Sequence, residues 1–210
     1  MAFTRNRILD FPKLVIAILS NLSKSLSIEV HDMIQTFELA HYSKQAFSWA
    51  RLNLKYTAFI FLNDMIIKKY YEDDDYKTFK GRILLAVDGF SLNLPNVEKL
   101  GKKFGYNTNQ NGKGINPIAS RIALYDILNE LVIYSSLRRF KTSERKMAEK
   151  GIDSMLKLIP GKKYLLVADR GFPSIGMLSY LVSKNIDFVM RNQCPFMKEF
   201  DDVYNGKSND

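Results

Sequence analysis

Residues 82–89 read Arg82-Ile-Leu-Leu-Ala-Val-Asp88-Gly89, and residues 164–171 read Tyr164-Leu-Leu-Val-Ala-Asp169-Arg-Gly171. The two stretches share one form, an apolar run rich in β-formers that closes on an aspartate with a glycine close behind. Runs this short and this apolar predict buried strands. An aspartate ending such a strand is held by a rigid sheet while its carboxylate projects at the sheet edge. Two of them on neighbouring strands can share hard divalent cations, since Mg²⁺ favours carboxylates, waters and phosphate oxygens. Two cations about 3.5–4 Å apart can activate a nucleophile and stabilise a leaving oxygen in phosphoryl transfer. The other reading is that each aspartate caps the turn after its strand. Spacing along the chain leaves both open, because it does not show that the strands are neighbours.

Outward from these strands, Ser91-Leu-Asn-Leu-Pro95 alternates and predicts a second strand, and residues 96–116 predict a polar loop rich in Gly, Asn and Lys. Strand pairing is expected around Ala119–Tyr125 and Glu130–Tyr134. Thr142 to Leu158 predicts a helix with Met147, Ile152, Met155 and Leu156 inward, ended by Pro160-Gly161. Pro173 opens another helix reaching Ser183, and Asp187-Phe-Val-Met-Arg191 predicts a last strand. Strands first, then alternating helix and strand, predict an α+β domain in which helices pack on a mixed sheet.

Residues 1–80 carry a helical period. Pro12 suits a first turn, and Leu14, Ile18 and Leu22 recur on one face. Further helices are predicted from near Ser27, from Ser43 as N-cap, and from Tyr56 to Tyr70. The acidic run Glu72-Asp-Asp-Asp75 marks a solvated end. It divides the chain into a helical region, 1–80, and a sheet domain, 81–210. Three short helices in a row fit either a helix-turn-helix reader of DNA or a small packed bundle. Trp49 and Phe47 read as core of that bundle and not as a base-stacking platform.

Hydrophobic residues make up 46% of the 210 and charged residues 25%, with 14 Phe and 11 Tyr to build a core. That composition excludes disorder over the whole length. The net charge of +9 is concentrated in the middle. Residues 81–170 hold 16 basic against 8 acidic side chains, residues 1–80 hold 11 against 9, and residues 171–210 hold 4 against 5. A basic domain fits a nucleic-acid partner, because Lys and Arg on phosphates release condensed counterions. It fits a basic protein without such a partner equally well. A single cysteine, Cys194, excludes an internal disulfide and a Cys-based zinc site, and two histidines are too few for a His-rich cage. The apolar run from Leu14 to Leu22 is broken by Ser20 and Asn21 and is too short for a bilayer. With no signal pattern at the N-terminus, a cytoplasmic protein without membrane contact is expected.

Five blocks follow one another in a telling order. They are Ala86-Val-Asp88-Gly89 with the stretch to Pro95, then Ala119-Ser-Arg-Ile-Ala-Leu-Tyr-Asp126-Ile-Leu-Asn129, then Ser143-Glu144-Arg145. Ala168-Asp169-Arg170-Gly171-Phe172-Pro173-Ser174 and Ile186-Asp-Phe-Val-Met-Arg191 complete the series. In order and spacing, over roughly residues 25–195, they resemble bacterial DDE transposases of the insertion-sequence-four group. The resemblance implies an RNase H-like fold with Asp88 and Asp169 as catalytic, metal-binding carboxylates. It implies two Mg²⁺ or Mn²⁺ ions, and nicking followed by strand transfer of double-stranded DNA at transposon ends. It leaves a homodimer open, and it puts residues 1–80 where this family often carries a DNA-binding domain.

The pattern departs from the family after Asp169. The third metal ligand is a Glu in a block with a Tyr, an Arg three residues on and the Glu four beyond that. Here Glu199 is the one Glu after Asp169, and Tyr180 is followed at the Arg position by Ser183. The expectation is an incomplete RNase H-like sheet domain, a fragment that stops before the third carboxylate and is inactive alone. Arg170 is a candidate phosphate ligand or a surface ion pair. Lys102, Lys103, Arg138 and Arg139 are candidate DNA-backbone contacts or solvated charges. Glu144 either supports the site or belongs to a helix-capping pattern. Two other readings stand beside the first: a DNA-binding remnant without catalysis, and a nuclease of related fold that completes its site with Glu144 or Asp126.

Overall fold

The computed structural model describes residues 9–20, 24–108 and 114–192. Cys194 and Glu199 lie outside the described residues. The chain divides between Leu62 and Asn63 into two compact units.

In the first unit, Asp10 caps α1 (Phe11–Leu19), its carboxylate accepting from the Lys13 amide at 3.0 Å, with Pro12 in the first turn. Helices α2 (Leu26–Thr36) and α3 (Lys44–Leu52) follow, and the Ser43 hydroxyl accepts from the Ala46 amide to cap α3. Leu14, Ala17, Val30, Met33, Tyr42 and Phe47 close a small core of their own. The α2–α3 connection runs from Phe37 to Ser43. That is longer than the roughly 3–4-residue turn of a helix-turn-helix, so the packed-bundle reading fits these helices. Phe47 lies in the core, but Trp49 is 69% exposed, against expectation. Residues two apart are separated by about 200° around a helix, so the two aromatics cannot share a buried face.

Helix α4 (Thr57–Tyr70) crosses the division, and Ile67 and Tyr71 at its end enter the core of the second unit. That unit is built on strand β1 (Ile83–Asn93). No turn residue interrupts β1, so Ser91–Asn93 continue it and do not form the separate strand that their alternation suggests. The expected loop after it holds α5 (Glu98–Phe104) and β2 (Tyr106–Thr108). Gly101 makes this possible: a Cβ there would stand 1.9 Å from the Tyr106 ring, which packs into the gap. Gly105, at φ 106°, then turns the chain in a region that side chains disfavour.

β3 (Gly114–Asp126) runs antiparallel to β1, with Asp88 opposite Ala123 and Phe90 opposite Arg121. On its other edge β3 pairs first with β2 and then with β4 (Leu131–Arg139). Helix α6 (Glu144–Leu158) leads to β5 (Tyr164–Ala168), and α7 (Ile175–Ser183) leads to β6 (Asp187–Met190). β5 lies parallel to β1 and β6 parallel to β5, which makes a mixed sheet. Both crossovers travel in one direction across the sheet, so right-handedness puts α6 and α7 on the same face.

Alternation does the rest. Ile83, Leu85 and Val87 of β1, Ile122 and Leu124 of β3, and Tyr164, Leu166 and Ala168 of β5 point to the helices. There they meet Met147, Ala148, Ile152 and Met155 of α6, and Met177 and Leu181 of α7. Each fully buried aliphatic side chain in such a layer contributes roughly 1.5–3 kcal/mol. Leu84, Ala86, Leu165 and Val167 face the other way and are only half-buried, and Val189 there is 59% exposed.

Two buried tyrosines make this core sensitive to alkali. The Tyr71 hydroxyl donates to the Asp126 carboxylate and the Tyr164 hydroxyl to the Ile159 carbonyl. Burial, reinforced at Tyr71 by its bond to Asp126, raises both hydroxyls well above their ordinary value near 10.0. Above that value the unfolded chain releases these protons and the folded chain keeps them. Their contribution is therefore complete below about pH 10 and declines as pH rises. Unfolding free energy should fall by up to about 2.7 kcal/mol per pH unit beyond that point, at about 1.4 for each tyrosine. Urea titrations across that range, with Tyr71→Phe and Tyr164→Phe as controls of smaller slope, check it. A flat profile would remove both groups from the account.

Candidate functional site

Asp88 and Asp169 come together by register. The parallel β1–β5 ladder ends on the pair Val87–Ala168, and an aspartate is the next residue of each chain segment, Asp88 inside β1 and Asp169 just past β5. Neighbouring strands lie about 4.8 Å apart, and Asp88, opposite Ala123, has the strand parity that points away from α6. Both are exposed. One expectation is corrected in detail. Asp88 is not at the end of β1, which runs on to Asn93; it stands where the neighbouring strand stops. Asp169 follows β5, which ends at Ala168, and its Oδ1 accepts from the Gly171 amide at 2.9 Å, closing a tight turn. The capping role and the paired arrangement thus coexist at Asp169.

The first turn of α6 braces both strands. A Cβ on Gly89 would lie 2.7 Å from the Glu144 carboxyl carbon, so Glu144 lies over the one residue after Asp88 that has no side chain. Next to it, Arg145 Nε donates to the carbonyls of Gly171 and Phe172 at 3.2 and 3.1 Å. One dipeptide therefore touches the segments that follow both aspartates. Ser143 caps this helix, its hydroxyl accepting from the Lys146 amide at 3.5 Å. Glu144 lies on the helix-covered side of β1, opposite Asp88. The Ser143-Glu144-Arg145 block was visible in the sequence, but nothing there indicated what Arg145 holds. Arg145→Ala should weaken divalent-cation binding roughly 10-fold, the low end for residues that orient ligands, with Arg145→Lys partly restored. Mn²⁺ titration reads this directly, and unchanged affinity in Arg145→Ala would sink it.

Asp126 does not belong to the site. It sits opposite Leu85, on the core face, and is fully buried. Its carboxylate accepts from the Tyr71 hydroxyl, the Leu128 amide at 3.0 Å, the Asn129 amide at 3.1 Å and Asn129 Nδ2 at 2.7 Å. Its four bonds close the β3–β4 turn and tie it to Tyr71.

The basic residues separate. Phe140 N–H donates to the Phe104 carbonyl at 2.6 Å, which brings the end of α5 to the end of β4. Lys102 and Lys103 thereby come near Arg138 and Arg139, although Lys102 also pairs with Glu98 at 2.5 Å. Strand alternation puts Arg138 and Arg139 on opposite faces, and Arg139 shares the face of Asp88. Arg170 is exposed and has no ion pair among the described residues.

Two exposed carboxylates, one on β1 and one just past the neighbouring β5, fit a hard cation such as Mg²⁺ or Mn²⁺, which takes few protein ligands and keeps waters and phosphate oxygens. A fuller cage is absent: among the described residues no three His, Cys, Asp or Glu side chains converge to hold a metal. Between Asp169 and Asn192 the only acid is Asp187, which is ion-paired to Arg82 on the sheet edge. No helix among the described residues is long and apolar enough to cross a membrane.

The sheet is mixed, with one aspartate inside β1 and another directly after β5. Residues 79–205 match the transposase DDE domain, and the chain belongs to that family. No curated protein matches the chain. Among solved structures it is similar to the piggyBac transposase in a synaptic complex with hairpin DNA, at 13% identity and a TM-score of 0.44, over 96% of this chain and 46% of that one. It is also similar to the catalytic domain of Mos1 mariner transposase, at 11% identity and a TM-score of 0.36, over 63% of this chain and 59% of that one. The Mos1 paired-end complex with Mn gives 13% identity and 0.36, over 88% and 60%. The chain thus spans about half the length of the first of these proteins and about three fifths of the other two.

Proposed function

We propose that this chain carries the first two metal-binding carboxylates of a DNA transposase of the insertion-sequence-four type. The reaction it serves is cleavage and joining of DNA phosphodiesters at transposon ends. The observation that supports this most directly is the placement of Asp88 and Asp169 one step past the last pair of the β1–β5 ladder. Bound there, Mg²⁺ or Mn²⁺ would supply Lewis-acid stabilisation of the attacking and leaving oxygens. The chain's own residues do the positioning. The sheet holds the two carboxylates at fixed separation, and Glu144 and Arg145 brace the segments behind them. Arg170, Lys102, Lys103 and Arg139 offer cations to the DNA backbone, with Arg138 turned to the other face.

The third carboxylate of the family pattern comes from outside the described residues in this reading, so catalysis by 9–192 alone is expected to be weak. Residues 1–80 are proposed as a DNA-binding region, acting through a packed bundle and not through a tight helix-turn-helix. A bacterial insertion-sequence origin and a cytoplasmic location belong to the same proposal, which leaves a homodimer open.

The test is calorimetric titration of Mg²⁺ and Mn²⁺ into wild type, Asp88→Asn and Asp169→Asn, alongside plasmid nicking. Saturable binding lost in both variants supports a shared site. Equal binding in all three proteins would overturn it. The lack of a third converging acid among the described residues would then favour a DNA-binding protein without catalysis.

A further inference from the structure

Arg121 is held by two contacts and has no ion pair among the described residues. It lies opposite Phe90 in the β1–β3 ladder, two residues along from the Asp88–Ala123 pair. Residues two apart on a strand share a face and are separated by about 6.8 Å. Its Nε donates to the Ser135 hydroxyl at 3.2 Å, and its guanidinium carbon stands 5.0 Å from the centroid of the Phe90 ring. These two contacts hold the guanidinium in place, and its Nη groups make no hydrogen bond among the described residues. Along this face, register places Ala123, Ser135 and Leu137 beside it and Arg139 beyond, and among the described residues of β1, β3 and β4 Asp88 is the one acid on this face.

A purely structural arginine at such a place would be expected to pair with a carboxylate. Phe90 is 41% exposed, so the pair faces solvent and is not sealed in the core. A guanidinium over an aromatic ring, with its Nη groups free of hydrogen bonds to the described residues, can present the two-pronged donor edge that a phosphate takes. We infer that Arg121, steadied by Phe90 and Ser135, binds a backbone phosphate of the DNA strand beside the Asp88–Asp169 edge. It thereby links that edge to Arg139 at the α5–β4 junction. The inference rests on the reading of this face as a DNA site.

The experiment is anisotropy of a fluorescein-labelled DNA duplex of arbitrary sequence, titrated with the full chain in EDTA at several salt concentrations. Wild type, Arg121→Met, Arg121→Lys and Lys157→Met are compared. Lys157 is exposed in the last turn of α6, about 20 Å from the helix's first turn at 1.5 Å per residue. Arg121→Met should bind more weakly and lose about one unit of the slope of log affinity against log salt. Arg121→Lys should keep the slope while recovering only part of the affinity, because the fork is lost. Lys157→Met should match wild type. An unchanged slope in Arg121→Met, even with a lower melting temperature, would reduce Arg121 to a sheet-stabilising contact and overturn the inference. Absence of salt-dependent binding by wild type would overturn it as well. A slope lost in Arg121→Met together with intact cation binding in Asp88→Asn would keep the phosphate contact and reject the two-aspartate site.

Discussion

Asp126→Ala is expected to cost about 3–5 kcal/mol of folding free energy, the range for removing one partner from a buried charged network. The side chain is fully buried and is the common acceptor for four donors: the Tyr71 hydroxyl, two backbone amides of the β3–β4 turn and the Asn129 side-chain amide. Truncation leaves those donors without an acceptor, and each buried unsatisfied group costs on the order of 1–3 kcal/mol. The loss spreads through Asn129, whose Oδ1 accepts from the Tyr70 hydroxyl and the Lys77 amide, both at 2.9 Å, and whose Nδ2 donates to the Lys77 carbonyl at 3.0 Å. The end of α4 and the segment before β1 are thus tied to the turn through one carboxylate. Asp126→Asn, which keeps the shape and an acceptor oxygen, should recover part of the loss. Urea unfolding of the three proteins decides the matter. A loss below about 1 kcal/mol, the net worth of a single ordinary hydrogen bond, would show that the network is not what holds the turn.

The second large effect concerns the two aspartates. If they share a cation, Asp88→Asn and Asp169→Asn should each weaken Mn²⁺ binding by about 100-fold or more, at or beyond the upper end seen for residues that only orient ligands. The double variant should then be little worse than either single one, because residues acting as a unit are not additive. Stability offers an internal control. Both side chains are exposed, so substitution to Asn should change unfolding free energy by less than about 0.5 kcal/mol. Independent, additive losses in the double variant would mean two separate weak sites and no shared one.

The alternation of apolar positions in Ile83–Val87 and Tyr164–Ala168 made two buried strands legible, together with the helices that cover them. Period-2 and period-3.6 patterns are properties of local sequence, and tertiary packing had no reason to override them. The same logic failed in the Lys- and Asn-rich stretch after β1. There, a helix and a short strand depend on the Tyr106 ring occupying the space left by Gly101, a contact that local composition does not signal. It fails also at Trp49, because Phe47 holds the inward position and a residue two along the helix turns away from it. The Ser91–Asn93 segment was separated from β1 because Gly89 looked like a turn. In the structure Gly89 is a strand residue whose missing side chain makes room for Glu144.

What the sequence determined by itself was the kind of elements, the two aspartates at matched strand positions, and a blockwise resemblance to the DDE family to which the chain belongs. Tertiary structure alone decided which residues of those blocks meet. It set Asp88 beside Asp169 through the parallel ladder, and it withdrew Asp126 to the opposite face. It also split Arg138 from Arg139, and it aimed Arg145 at the loop behind Asp169 and Arg121 at Phe90. The physical reason is register. A strand's face alternates with every residue, so a pairing shifted by one would exchange all of these positions. That register is set by long-range hydrogen bonding between segments about 80 residues apart, such as Val87 and Ala168, which local pattern cannot specify.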